Sequence, residues 1–91
     1  MRRIEIIANK SVEDDIMEAL HVRGAARHHT KVPIAHGVGG SGPRQGDAVW
    51  PEENFILIVY CEDSEAHQIH EAVAEIKKLF PDEGVRLFDM G

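Results

Sequence analysis

The stretch FILIVYC, residues 55–61, is a continuous apolar run of seven residues in a chain of 91. A run of this length is typical of a strand at the centre of a sheet. Successive side chains of a strand point to opposite faces, so this strand presents apolar side chains on both faces of its sheet. Both faces therefore need a covering partner.

Upstream of this run, the sequence predicts a strand, a helix and a second strand. Residues 3–8 alternate between two faces, which predicts the first strand. Ser11 offers an N-cap hydroxyl to a helix over 12–23, and Gly24 falls where a left-handed C-terminal cap is expected. Residues 26–34 alternate apolar with basic side chains, which predicts a strand with one basic face.

Downstream, the sequence predicts a second helix and a last strand. Asp63 or Ser64 is expected to cap this helix, in which apolar residues recur every three or four positions until Pro81 ends it. A short strand follows over 85–90. The connection between the second and third strands, residues 36–54, is far longer than a hairpin turn and contains five of the eight glycines.

The predicted order β-α-β-β-α-β is the ferredoxin-like arrangement of the α+β class, a four-stranded antiparallel sheet with two helices on one face. A chain of 91 residues is expected to form a single domain over 1–91. Two helices cover only one face of the sheet, and the other face is too apolar to be left in water. We therefore expect a homo-oligomer, and packing of open sheet faces around an axis favours a homotrimer.

The charge pattern indicates an anionic ligand or partner. Sixteen acidic against ten basic residues give a net charge of −6, which disfavours nucleic-acid binding. However, no acidic residue lies between Glu18 and Asp47, where four of the six histidines are found. The longest apolar run is much shorter than the roughly 20 residues that cross a bilayer, so we expect no direct membrane insertion. Charges among the first ten residues and a single cysteine indicate a cytoplasmic protein without an intrachain disulfide.

Segments along almost the whole chain resemble the PII signal-transduction proteins and their PII-like relatives. They include RRIEII at 2–7, ED at 62–63 after the apolar strand, and GVRLFD at 84–89. In that family the long connection between strands two and three is the T-loop, and residues 36–54 look like a shortened T-loop. The resemblance implies a trimer that binds adenine nucleotides (ATP, ADP or AMP) in clefts between subunits. It also implies a protein partner, such as a membrane transporter, that contacts residues 36–54.

The candidate ligand-binding residues come partly from this resemblance, which implies that Gly37, Gly39 and Arg44 lie in the base and arm of the T-loop and Gly84 in the turn before the last strand. Glycines at the base of the loop and before the last strand would donate backbone N–H groups, Arg44 would contact the anion, and other residues would line the cleft. The set is Lys31, His36, Gly37, Gly39, Arg44, Gly84 and Arg86. A planar guanidinium suits a phosphate or a carboxylate. The chain lacks the family's Thr-Gly-x-x-Gly-Asp-Gly-Lys motif, and Val85 follows Gly84 where that motif has its lysine.

Six histidines suggest an alternative, a trimeric CutA-like protein that binds a divalent transition metal. Adjacent His28 and His29 on a strand would point to opposite faces. His28 would instead meet its copies around a trimer axis or pair with His36, so these three histidines are the candidate ligands. His67 and His70, three apart on a helix, are expected on its solvated face.

No constellation of residues indicates catalysis. Ser41 lies between glycines without a positioned base, and Cys61 ends the core strand, where a packed thiol is expected. We therefore predict a non-enzymatic protein, and a structural protein-interaction module is a further alternative. Trp50, the only tryptophan, is expected to anchor the far end of the loop.

Overall fold

The structure, a computed structural model, describes residues 1–37 and 52–91. Four strands and two helices follow in the predicted order, with a short 3₁₀ turn before the first helix. They are β1 (Arg2–Asn9), the 3₁₀ turn (Lys10–Val12), α1 (Glu13–Val22), β2 (Thr30–Gly37), β3 (Glu52–Cys61), α2 (Asp63–Leu79) and β4 (Val85–Asp89). The predicted ferredoxin-like fold is confirmed.

The strands form one sheet in the order β2-β3-β1-β4, with every neighbouring pair antiparallel. β3, which contains the FILIVYC run, pairs with β1 and β2, so its expected central position is confirmed. β2 and β4 are the two edge strands. Among the described residues, neither helix is long and apolar enough to span a bilayer.

The core lies between the two helices and one face of the sheet. From β1 and β3, Ile4, Ile6, Phe55, Leu57 and Val59 point into it and have no exposed surface. The helices contribute Ile16, Leu20, Ile69, Val73 and Ile76, each at most 3% exposed. Burial of a side chain of this size contributes about 1.5–3 kcal/mol, which makes this layer the main source of stability.

The opposite face of the sheet is not covered by either helix. Ile56 and Ile58 of β3 are half-buried there, and Tyr60 and Phe88 are exposed. The expected open apolar face is therefore present, although Arg3 and Glu5 interrupt it. The Arg3 guanidinium donates to Glu5 at 2.6 Å and to the Tyr60 hydroxyl at 2.8 Å.

The predicted helix caps are wrong at both N-termini. The Ser11 hydroxyl does not cap α1 but donates to the Glu83 carboxylate at 2.9 Å. The chain turns through the 3₁₀ segment before α1, and the side chain of Asn9 accepts from the Ser11 N–H at 2.9 Å. At α2 the cap is Glu62, without a side-chain bond, instead of Asp63 or Ser64. Gly24 does adopt the expected left-handed conformation, with φ +65°.

The strand predicted over 26–34 begins later, at Thr30. Ala26 has φ +54°, a left-handed conformation that interrupts an extended chain. Its N–H donates to the Glu65 carboxylate at 2.9 Å, so a contact with α2 holds this bend. Residues 27–29 are all exposed around this bend, so their alternation in the sequence does not mark a strand, and β2 runs instead from Thr30 to Gly37.

Candidate functional site

The candidate site lies at the end of the sheet where β2 ends at Gly37 and β3 begins at Glu52. Gly39, Arg44, Ser41, Trp50 and most of the predicted T-loop lie outside the described residues. Of the predicted ligand-binding set, five members are described: Lys31, His36, Gly37, Gly84 and Arg86.

Lys31 is tied to the first turn of α1. Its Nζ donates to Glu13 Oε2 at 2.9 Å, and the Nζ of Lys10 lies 3.1 Å from Glu13 Oε1. The hydrogen bond from Lys31 is the largest of the effects that hold the pKa of Glu13 below its ordinary value, and Lys10 acts in the same direction. One ionised carboxylate thus bridges two ammonium groups.

Gly84 lies against the 3₁₀ turn that contains Lys10. The backbone N–H of Asn9 donates to the Gly84 carbonyl at 2.9 Å, and the neighbouring Ser11 hydroxyl bonds to Glu83. Lys10 is therefore held between two contacts to the turn that precedes β4. Lys10 thus lies beside the turn that contains Gly84 and also contacts Glu13, which accepts a hydrogen bond from Lys31. These contacts connect Gly84 and Lys31 within one subunit.

A β-bulge positions His36 relative to Lys31. Pro33 and Ile34 of β2 occupy the interval opposite one residue of β3, between the Val32–Ile56 and Ala35–Asn54 pairs. Pro33 has no N–H to donate, which suits an edge strand at a bulge. Because of the extra residue, Lys31 opposite Leu57 and His36 opposite Glu53 fall on the same side of the strand pair.

Lys10 also contacts this bulge, because its Nζ donates to the Pro33 carbonyl at 3.0 Å. Further along β2, Gly37 closely approaches Asn54. A Cβ at position 37 would lie 2.9 Å from the Asn54 Nδ2 atom, which is closer than Cβ contacts allow. Any other residue at Gly37 would therefore require the Asn54 side chain to move.

Arg86 lies away from this group. It is exposed on β4 and pairs with Ile7 of β1, whose other neighbour is Ile56, so it belongs to the open face of the sheet. Lys31 lies on the helix-covered side of the other edge strand. Three strand spacings, about 14 Å in total, separate the two edges. One subunit does not bring Arg86 and Lys31 together.

The proposed metal ligands are not assembled within one subunit. His28 lies in the bend before β2, and the His29 ring Nδ1 is 2.8 Å from the Ala26 carbonyl. Thr30, where β2 starts, is six residues from His36, about 20 Å along a strand, so one subunit does not bring His28 and His36 together. Among residues 1–37 and 52–91, no three His, Cys, Asp or Glu side chains are grouped to hold a metal ion.

His67 and His70, expected on the solvated face of α2, are each exposed and contact different carboxylates. His67 Nε2 lies 3.1 Å from Glu71 Oε1, whereas His70 Nε2 lies 2.8 Å from Asp89 Oδ2. His29 also lines a surface cavity of about 290 Å³ at the C-terminal end of α1, together with His21 and Arg27. Cys61 is buried, and burial raises the pKa of its thiol, which disfavours a nucleophilic role.

The described arrangement offers the ammonium groups of Lys10 and Lys31, which are donors suited to an anion. The sequence suggested Lys31 and Gly84 as ligand-binding residues but did not single out Lys10 and Glu13, which connect them in the structure. One feature of the sequence pointed to Glu13: it lies in the first turn of the predicted helix, where the helix dipole favours a carboxylate. Nothing in the sequence indicated that Lys10 would reach across the sheet to β2.

A family model for "Nitrogen regulatory protein P-II" matches residues 1–88. A sequence search of curated proteins finds no match. Among solved structures, a protein from Thermus thermophilus, described as a PII-like signalling protein, is 25% identical with a TM-score of 0.65. That match covers 97% of this chain and 82% of the other.

Two further similar structures are of CPII, a nitrogen regulatory PII-like protein from Thiomonas intermedia K12. One, bound to ADP, AMP and bicarbonate, is 16% identical with a TM-score of 0.69, over 97% of this chain and 84% of the other. The second, bound to ADP and bicarbonate, is 18% identical with a TM-score of 0.64, over 98% and 84% of the two chains. At these identities the likeness to CPII shows the fold.

P-II proteins are regulators that act on other proteins, so the family match also confirms the prediction of a non-enzymatic protein. The match spans both helices and nearly all of the sheet, from the first residue of the chain to Phe88. The chain belongs to the nitrogen regulatory protein P-II family.

Proposed function

We propose that this protein is a cytoplasmic PII-like signalling protein that forms a homotrimer and binds an adenine nucleotide between its subunits. Residues 36–54 contact and regulate a partner protein, such as a membrane transporter. The observation that carries this proposal is the P-II family match over residues 1–88. The ADP and AMP bound to CPII, which has the same fold, support an adenine nucleotide as the ligand.

The positions of the charged residues support a site between subunits. Lys31 and Arg86 lie on opposite edge strands and on opposite faces of the sheet. One bound nucleotide contacts both side chains only when they come from neighbouring subunits. In this arrangement Gly37 and Gly84 donate backbone N–H groups, Lys31 and His36 line the cleft, and Arg86 adds a positive charge from the adjacent subunit.

Gly39 and Arg44 complete the proposed site as a backbone donor and an anion contact in the 36–54 loop. Their roles follow from the family resemblance alone. Arg44→Ala is expected to weaken nucleotide binding without changing the oligomeric state. Unchanged affinity would remove Arg44 from the site.

Isothermal titration of the purified, metal-stripped protein with ADP, AMP and ATP tests the proposal. A ligand at a hundredfold excess over its Kd should also raise the apparent stability by about 2.7 kcal/mol in a thermal melt. Lys31→Ala should weaken ADP binding, whereas Lys77→Ala, an exposed lysine at the end of α2, should not. Absence of binding to all three nucleotides would contradict nucleotide sensing and favour a protein-interaction module.

A further inference from the structure

The carboxylate of Glu13 occupies the position that an anionic ligand of Lys31 would take. Its two oxygens are shared between Lys31 Nζ at 2.9 Å and Lys10 Nζ at 3.1 Å. The Glu13 side chain is only 14% exposed. Both lysines remain 36–38% exposed and are open to an anion from solvent.

The charges of this cluster favour exchange of one anion for another. Two ammonium groups and one carboxylate leave a net charge of +1, so the cluster attracts a further anion. A phosphate presents more acceptor oxygens than a carboxylate and carries more charge near neutral pH. The partly exposed ion pairs that it would replace are individually weak, about 0.2–1 kcal/mol each.

We propose that Glu13 is an internal competitor of the ligand: its carboxylate occupies Lys10 and Lys31 until a phosphate-bearing ligand displaces it. Lys10 thereby becomes an anion-binding residue alongside Lys31. This inference deepens the proposed function and rests on Lys31 belonging to the ligand site. It adds a mechanism, because the displaced contacts connect the site to the base of the 36–54 loop.

The connection runs through the second bond of Lys10. Its Nζ also donates to the Pro33 carbonyl in the bulge of β2. An anion that draws Lys10 away removes this bond from the bulge, and the strand from Ile34 to Gly37 loses an attachment to the body of the protein. The ammonium group of Lys10 therefore couples ligand binding to the direction of residues 34–37, which form the base of the loop.

The test compares binding of inorganic pyrophosphate to the wild-type protein and to Glu13→Gln by isothermal titration at low salt. Removal of the competitor should tighten pyrophosphate binding about two- to thirtyfold, the range expected for the loss of two partly exposed ion pairs. Asp14→Asn is the matched control, because it removes one negative charge from an exposed side chain in the same turn of α1. Its affinity should stay at the wild-type value.

Three results would overturn the inference: equal or weaker binding by Glu13→Gln, an equal gain in Asp14→Asn, or no pyrophosphate binding by any of the proteins. Should Glu13→Gln fail to fold, Glu13→Asp replaces it. Its side chain keeps the charge but is one methylene shorter, so it cannot bridge both lysines, and a smaller gain in affinity is expected.

Hydrogen exchange supplies a second readout that a purely structural salt bridge would not move. Pyrophosphate should speed amide exchange in residues 34–37 of the wild-type protein, and Lys10→Met should show this faster exchange without ligand. Unchanged exchange in both cases would overturn the coupling. Titration of the wild-type protein with ADP distinguishes this inference from the proposed function. If the wild type binds ADP but Glu13→Gln shows no gain in pyrophosphate affinity, this inference is wrong and the proposed function stands.

Discussion

Asp89, near the C-terminal end of the described chain, accepts hydrogen bonds from three separate groups. Arg2 donates from Nη2 at 2.6 Å, His70 from Nε2 at 2.8 Å, and the N–H of Gly91 at 3.0 Å. The side chain is 13% exposed, and the bond from Arg2 is the largest cause that holds the pKa of Asp89 well below its usual range. This carboxylate links the start of β1, the end of β4 and the middle of α2.

Asp89→Asn should lower the melting temperature at pH 7, and the deficit should shrink as the solution becomes acidic. The folded pKa is lower than the unfolded value of about 3.9, so the ionised carboxylate stabilises the protein above that pH. As pH falls from about 4 through the lower folded pKa, the wild type loses this stabilisation and the variant does not. Circular dichroism melts between pH 7 and pH 2 measure the effect.

Asp82→Asn, in the exposed turn after α2, is the control and should melt like the wild type throughout. A melting-temperature gap for Asp89→Asn that stayed constant down to pH 2 would show that the contacts of Asp89 do not depend on its charge.

At the scale of the elements, α2 determines the path of the chain between α1 and β2. α1 ends in a Schellman motif, in which the Gly24 N–H bonds to the His21 carbonyl and the Ala25 N–H to the Leu20 carbonyl. The next residue, Ala26, is 3% exposed and left-handed, and its N–H donates to the Glu65 carboxylate at 2.9 Å. The start of β2 thus depends on a residue of the other helix.

Glu65→Ala should destabilise the protein by about 1–2 kcal/mol, because it leaves the buried Ala26 N–H without its acceptor. Glu65→Gln keeps a side-chain carbonyl at the same position and should recover at least half of that loss. Urea unfolding followed by circular dichroism measures both variants. Equal losses for Ala and Gln would mean that the charge of Glu65, and not the hydrogen bond, stabilises the bend.

The elements were predictable from sequence where their signal is local. The structure confirms the strand predicted from the FILIVYC run, the helix predicted from the spacing of Ile69, Val73 and Ile76, and the left-handed conformation of Gly24. Each of these signals lies within a few residues of the chain. The start of β2 was not predictable, because residues 26–29 alternate like a strand while a contact 39 residues away bends them. Likewise, the hydroxyl of Ser11 bonds to Glu83, 72 residues along the chain, instead of its own helix.

The candidate site was predictable only in part, for the same reason. Gly84 was predicted from the family resemblance, which preserves position along the chain, and Lys31 from the basic segment between Glu18 and Asp47. Their partners depend on the register of the sheet: Glu13 meets Lys31 because α1 crosses beside β2, and Lys10 reaches Pro33 because the 3₁₀ turn passes over the end of the sheet. Such contacts cannot be predicted from the spacing of residues in the sequence, because no helical or strand periodicity relates the two residues of each pair.

At the scale of the whole molecule, the open face of the sheet decides the assembly. Ile56 and Ile58 are half-buried and Val32, Tyr60 and Phe88 are exposed on it, which forms an apolar surface that Arg3 and Glu5 of β1 interrupt. Surfaces of this kind mark protein interfaces. Within the proposed trimer, this face packs against its copies around the symmetry axis.

Ile58→Lys should dissociate the trimer, since it places a charge in the middle of the apolar face. The subunit should still fold, because Glu5 is the cross-strand neighbour of position 58 and can pair with the new ammonium group. Sedimentation should give a mass near three times the 10.2 kDa chain for the wild type and one chain for the variant.

Leu79→Lys is the control, because Leu79 is 64% exposed at the end of α2, away from the sheet face. It should sediment like the wild type. A wild-type protein that sediments as a single chain would contradict the trimer.

The β-bulge in β2 also affects the part of the strand that follows it, residues 35–37. With Pro33 and Ile34 opposite a single residue, His36 stands across from Glu53 and shares a side with Lys31. Loss of either residue would remove the bulge and leave a regular ladder, in which Ala35 still pairs with Asn54 and His36 with Glu53. The side on which His36 lies would stay the same, whereas the bend and the added twist that a bulge gives its strand would be lost. The bulge therefore sets the direction in which β2 runs beyond Pro33.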